Sequence, residues 1–387
     1  MALPDNQDIP NSDRWEILII VIISISIVGL SLGLTSPLIS LVLEDKGISS
    51  SLIGLVASMS SFGIIIVSPI IPRIISFAGA SSTLSSAIFI GGTSIILLPF
   101  LENIWAWLFL RFVLGCADGI LFATSEILLN YIASEKNRGK LVSLYSVVLA
   151  LCFSGGPVLI YLLGTKGALP FIVAAMILYA GAIPLFFTSV KIPRIEGKTS
   201  FNVFSFLKVA PLLCYAVLIH AFMDIASISL LPVFGVRHGY TNSTAAMMVT
   251  VLGAGGTVLQ IPLGWLADNM KRYTLLLICG IAFFICAASL SFAILTPILL
   301  WPVLALLGGS IGGIYIVTIT LIGQKFKGAE LVTANATLGF VWGIGSLLGP
   351  LVTGFSMQLL NPDGFTVTLT LASLLFLALF TVKTKEF

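Results

Sequence analysis

Charge is scarce in this chain. Only 9% of its 387 residues are Asp, Glu, Lys or Arg, whereas a soluble domain carries about 25%. With 58% hydrophobic residues and a mean hydropathy of +1.13, that scarcity excludes a soluble globular domain. It predicts an all-α polytopic membrane protein. Histidine is rarer still, with two copies. The five cysteines (Cys116, Cys152, Cys214, Cys279 and Cys286) all fall inside apolar runs. No CxxC pair or Cys/His cluster suggests a metal, and an odd set at lipid depth argues against a disulfide framework. The segments GWLADN and GGTSI match neither GxxxxGKS nor GxGxxG, so ATP drive is unsupported and no cofactor is expected. No nucleic-acid partner is expected either. Residues 1–14 are polar and acidic without a basic leader, so they are not expected to form a signal peptide.

What is present is a series of about twelve apolar spans: 16–42, 51–77, 82–101, 104–133, 141–164, 168–190, 209–236, 243–267, 273–295, 298–325, 331–358 and 366–382. The one long polar connection, 191–208, carries Lys191, Arg194, Lys198 and Lys208. It divides the chain into an expected bundle of six spans at 1–190 and another at 209–387. With the N-terminus inside, fifteen of the nineteen Lys and Arg fall in cytoplasmic segments and three (Lys46, Lys166 and Arg237) in external ones. Arg111 lies within a span. This asymmetry predicts cytoplasmic termini and a cytoplasmic 191–208 connection.

The halves repeat at an offset of 193 residues. The offset relates Gly63 to Gly256, Pro69 to Pro262, Gly115 to Gly308, Gly119 to Gly312, Gly156 to Gly349 and Pro157 to Pro350. Composition alone gives roughly two such Gly or Pro coincidences, so six without a gap indicate a true repeat. Parallel six-span halves are a transporter architecture. The symmetry breaks at charge: Arg111, Asp118 and Glu126 correspond to Leu304, Ile311 and Ile319, and Asp224 to Ser31. Scaffold needs apply to both halves, so charges confined to one half point to a specific task.

At about 100° per residue, Asp118 lies roughly 20° and Glu126 roughly 60° from Arg111 on one helix face. His220, Asp224 and Ser227 share a second face within about 60°. Ionisable groups at lipid depth face a protein interior or a watery cavity. One arginine and three carboxylates cannot all be ionised cheaply there, so at least one of Asp118, Glu126 and Asp224 is expected to bind a proton in one state. The blander alternative is an internal ion pair that glues helices, and a core histidine satisfied by its neighbours.

Further motifs carry a resemblance. Arg111-Phe-Val-Leu-Gly115 followed by Gly119 resembles the fourth-helix signature of the major facilitator superfamily. Gly264-Trp-Leu-Ala-Asp268-Asn-Met-Lys271-Arg272 resembles that family's loop between the second and third helices of a half. Its N-terminal counterpart keeps Arg73 but has Ile75 at the aspartate position. Gly156-Pro157 and Gly349-Pro350 resemble the family's glycine-proline bends. The resemblance extends over nearly the whole chain. It implies two pseudo-symmetric bundles whose spans 1, 4, 7 and 10 line a central cavity, and a monomeric, non-enzymatic secondary transporter in a bacterial plasma membrane.

On that reading Asp118, Asp224, Glu126, Arg111 and His220 serve proton coupling. Ser31, Thr35, Phe122, Ser227, Tyr315 and Trp342 line the cavity, although for Tyr145, Tyr315 and Trp342 packing is the favoured reading over ligand contact. Gly264, Asp268, Arg272 and Arg138 form a gate, with Asp268 suited to a helix N-terminus. The expected partners are a small organic solute, protons and the lipid bilayer. Export of an amphipathic compound is slightly preferred over import of a polar metabolite. A membrane enzyme acting on lipid-linked substrates and a non-transporting sensor are the rivals from other classes.

Overall fold

The computed structural model describes residues 11–132, 138–183, 207, 209–326 and 329–383. Among these residues the chain is helical and contains no strand. Long apolar runs form helices because a helix satisfies every internal N–H and C=O within its own segment, which lipid requires. Among the described residues there are thirteen α-helices: α1 (Asn11–Asp45), α2 (Ser50–Val67), α3 (Ile71–Ala78), α4 (Ala80–Leu97), α5 (Ile104–Ile132), α6 (Arg138–Leu163), α7 (Leu169–Ala180), α8 (Pro211–Arg237), α9 (Asn242–Asn269), α10 (Arg272–Ala293), α11 (Pro297–Lys325), α12 (Ala329–Leu359) and α13 (Gly364–Lys383). Eleven are long and apolar enough to cross a membrane, and α7 is a shorter apolar helix.

The second expected span, 51–77, is two helices. The helix is interrupted at Ser68-Pro69-Ile70, because a proline disfavours helical geometry in the residue before it. Gly79, at φ +81°, then turns the chain from α3 into α4. The 191–208 connection lies outside the described residues except for Leu207 and carries no structural statement.

Two compact units form, one drawn from Met1–Ser36 and Met59–Ser200, the other from Pro37–Ser58 and Phe201–Phe387. In each, glycines let helix backbones touch. In the first unit, a side chain at Gly63 would strike the Phe112 carbonyl on α5, one at Gly115 the Ser60 backbone on α2, and one at Gly156 the Gly33–Leu34 backbone of α1. In the second unit, a side chain at Gly308 would strike the Leu252 carbonyl of α9, and one at Gly349 the Phe222 carbonyl of α8. Gly63, Gly115 and Gly156 recur as Gly256, Gly308 and Gly349, so the internal repeat is a repeat of close helix approaches.

The second unit also takes in the end of α1 and the start of α2. There Gly54 meets Pro350, Gly354 meets Ser50, and the Ser58 hydroxyl donates to the Leu347 carbonyl at 2.8 Å.

Candidate functional site

The charged face of α5 is built around Arg111. Its side chain is 1% exposed, as is that of Asp118. A buried guanidinium needs acceptors, and α1 supplies them. Arg111 Nη1 donates to Thr35 Oγ1 at 3.1 Å and Nη2 donates to Ser36 Oγ. Thr35 in turn donates back to the Ser31 carbonyl. Arg111 and Asp118 feel each other electrostatically without hydrogen bonding. Ser31 is the hydroxyl facing Asp118. Yet Ser31 Oγ, both Asp118 oxygens and Arg111 Nε are buried without a hydrogen-bond partner among the described residues.

Glu126 lies two turns further along α5 and, unlike Asp118, is exposed. Phe122, one turn before it, is 36% exposed. The Tyr145 ring of α6 packs edge-on against Phe122 at 6.4 Å, with its hydroxyl 3.1 Å from Ser125 Oγ. The structure therefore separates the three α5 charges into a buried pair and an accessible carboxylate. The helical angle alone places all three together.

In the second unit, α8 and α11 form another polar cluster. His220 Nδ1 is 3.0 Å from the Ile311 carbonyl oxygen. A carbonyl only accepts, so Nδ1 carries the hydrogen. The imidazole stacks on the Tyr315 ring at 4.7 Å and 25°. Asp224, one turn along α8, is half-buried and within electrostatic reach of His220. Ser227 is fully buried, with its hydroxyl unpartnered among the described residues, and Trp342 is half-buried.

Of the expected gate, Gly264 sits near the end of α9 with open space around it. Arg272 Nε donates to the Ala267 carbonyl at 2.9 Å, which caps α9 from the first residue of α10. The side chains of Asp268 and Arg138 lie outside the described residues.

Two features escaped sequence reasoning. Ser36, the second anchor of Arg111, is one hydroxyl among many in an apolar helix, and nothing distinguishes it without knowing the neighbour. The other is an ion pair, Arg237 with Glu44. The two residues are 193 positions apart, the offset of the repeat, but that offset marks equivalent positions and not contacts.

A family model of the Major Facilitator Superfamily matches residues 21–350. Over 96% of its length the chain is 27% identical to the uncharacterized MFS-type transporter YfkF of Bacillus subtilis, covering 97% of that protein. It is 26% identical to the uncharacterized MFS-type transporter YcaD of Escherichia coli, covering 90% of this chain and 91% of that one. Among solved structures, a mutant of the nucleoside transporter NupG superposes with a TM-score of 0.80 at 12% identity, over 95% of this chain and 99% of that one. A bacterial homologue of the human lysosomal transporter Spinster, inward-facing and occupied, gives 0.77 at 14% identity over 98% of each chain. These structural likenesses establish the fold alone. The family match, running through the Arg111 helix and both copies of the glycine repeat, decides the rest: this multi-pass membrane protein belongs to the Major Facilitator Superfamily of secondary transporters.

Proposed function

We propose that this chain is a proton-coupled transporter of the bacterial inner membrane that moves a small amphipathic organic solute by alternating access, in the direction of export. The observation that carries the reading is the state of Asp118. It is 1% exposed, sits beside a guanidinium committed to Thr35 and Ser36, and has no hydrogen-bond partner among the described residues. An ionised carboxylate so enclosed costs several kcal/mol, and a protonated one far less. Its charge therefore follows its access to water, which ties proton uptake and release to which side of the membrane is open.

In this reading Arg111 sets the electrostatic bias on Asp118, and Asp224 with His220 is a second titrating pair. Bundles 1–190 and 209–387 are joined by 191–208 as a cytoplasmic linker, with both termini cytoplasmic. Gly264, Asp268, Arg272 and Arg138 serve the gate on that side. Ser31, Thr35, Phe122, Ser227, Tyr315 and Trp342 border the solute path, and the protein acts as a monomer.

The test is proton-gradient-driven accumulation beside solute counterflow in proteoliposomes, across a solute panel. Asp118→Asn is expected to abolish accumulation while counterflow persists. Full accumulation by Asp118→Asn, Asp224→Asn and Glu126→Gln alike would make proton coupling through these groups wrong.

A further inference from the structure

The short helix α3 has no part in the site described above. It joins α2 to α4, helices of 18 residues each that are apolar enough to cross a membrane. Eighteen residues make ~27 Å of helix, close to the ~30 Å of a hydrocarbon core. The chain therefore reaches the membrane boundary where α2 ends and leaves it where α4 begins. With only eight residues, α3 is held at that boundary.

One face of α3 is sealed against the first unit, with Ile71 1% and Ile75 2% exposed. At about 100° per residue, Ile70, Arg73 and Phe77 share the opposite face within about 60°. That face is open. Phe77 is 92% exposed, Ile70 43%, and Arg73 is exposed as well. Open apolar side chains gathered around one cation mark a surface that meets something other than water. The pattern is not a demand of the scaffold. At the 193-residue offset, the second half has Asp268, Asn269, Lys271 and Arg272 where the first has Ile75, Ser76, Ala78 and Gly79.

Arg73 narrows what covers this face. It is the only charged residue between Lys46 and Glu102, and its guanidinium has no ion-pair partner among the described residues. A membrane boundary supplies both complements at once. Acyl chains cover Phe77 and Ile70, while the arginine stem runs along the apolar surface and keeps its charge at headgroup level. A planar guanidinium matches a phosphate with two parallel hydrogen bonds. In a zwitterionic lipid the headgroup ammonium offsets that phosphate, so an anionic lipid gains more from Arg73.

We propose that α3 is a binding site for an anionic phospholipid, with Arg73 on the headgroup phosphate and Phe77 seated beside the acyl chains.

The experiment places a photocrosslinker on the open face. Full-length protein carrying Phe77→p-benzoylphenylalanine is reconstituted in vesicles of equal phosphatidylglycerol and phosphatidylethanolamine and irradiated, and the adducts are identified by mass spectrometry. Phospholipid adducts are expected, with phosphatidylglycerol about threefold over phosphatidylethanolamine. One basic residue at a membrane surface supplies at most about fivefold. Arg73→Gln is expected to remove the enrichment while phospholipid adducts persist, and Arg73→Lys, which keeps the charge, to retain most of it. Raising the salt to about 0.5 M screens an exposed charge and is expected to lower the enrichment without any change at Arg73. Adducts confined to a second copy of the chain, or no adduct at all, overturn the proposal. So do equal adducts of the two lipids with Arg73 present, and enrichment that survives Arg73→Gln.

Discussion

Glu44 and Arg237 hold the same position in two copies of one repeat, 193 residues apart, and they bind each other. Arg237 Nε donates to Glu44 Oε1 at 2.7 Å and Nη2 to Oε2 at 2.9 Å, a bidentate fork. The remaining Nη1 donates to Asn361 at 2.8 Å, and Asn242 donates to Asp45 at 2.6 Å. Glu44, Arg237 and Asn361 border a cavity of about 520 Å³ lined also by Ile48, Met357 and Gln358. The end of α1 is thereby tied to the end of α8 and the start of α9, and Arg237 reaches on to the α12–α13 turn, inside the second unit.

The fork is partly shielded, with side chains 18% and 15% exposed. A double-mutant cycle on Glu44→Gln and Arg237→Gln is expected to give a coupling of about 1–2 kcal/mol, above the exposed-pair range because the geometry is bidentate. Thermal unfolding of the detergent-purified protein reads it. Strictly additive losses would mean that the fork contributes nothing.

Arg111→Lys replaces a planar fork with a point charge, which cannot serve Thr35 and Ser36 in the same geometry. Gradient-driven accumulation is expected to fall about tenfold or more, and the melting temperature to drop. Thr35→Val, which leaves Nη1 without its acceptor, is expected to cost about 1–3 kcal/mol of stability. A lysine variant with wild-type uptake and melting would show that charge alone suffices at 111.

Two adjacent glycines of α6 give opposite expectations. Gly156→Ala drives a methyl into the α1 backbone at Gly33 and Leu34, and is expected to cost about 1–3 kcal/mol. Gly155→Ala points into open space and is expected to be neutral, or stabilising by up to about 1 kcal/mol. Melting temperatures of the two variants check the packing directly. Equal effects would contradict it.

Orientation is open to a labelling test at two exposed lysines. Lys46→Cys, in the α1–α2 turn, is expected to react with an impermeant thiol reagent in intact cells. Lys271→Cys, in the α9–α10 turn, is expected to react only after permeabilisation. The reverse pattern inverts the topology argued from the basic residues.

Span positions were legible because a transmembrane helix announces itself by uninterrupted apolar length. The glycine pairs were legible because two copies of one pattern reinforce each other. The helical angle correctly placed Arg111 and Asp118 on one face. It could not say that Asp118 is sealed while Glu126 is exposed, since an angle about an axis says nothing of which neighbouring helix covers which turn. Ser36 stayed hidden for the same reason. Hydroxyls in apolar helices often donate to the carbonyl one turn back, as Thr35 does to Ser31, so their presence does not reveal a second partner. The break at Pro69 was readable from proline chemistry, but apolar residues on both sides masked it as one span.

Backbone seated against backbone at Gly33, Gly115, Gly156, Gly308 and Gly349 has a consequence for how such a protein can change over time. At these seams fit depends on the lack of a side chain, so a handful of sites carries the geometry of whole helices. Every other surface of those helices is released from that duty. Residues that meet the solute can then be rewritten without re-engineering the frame. By the same reasoning, cargo preference drifts faster than architecture, and the seam glycines are the poorest places to look for it.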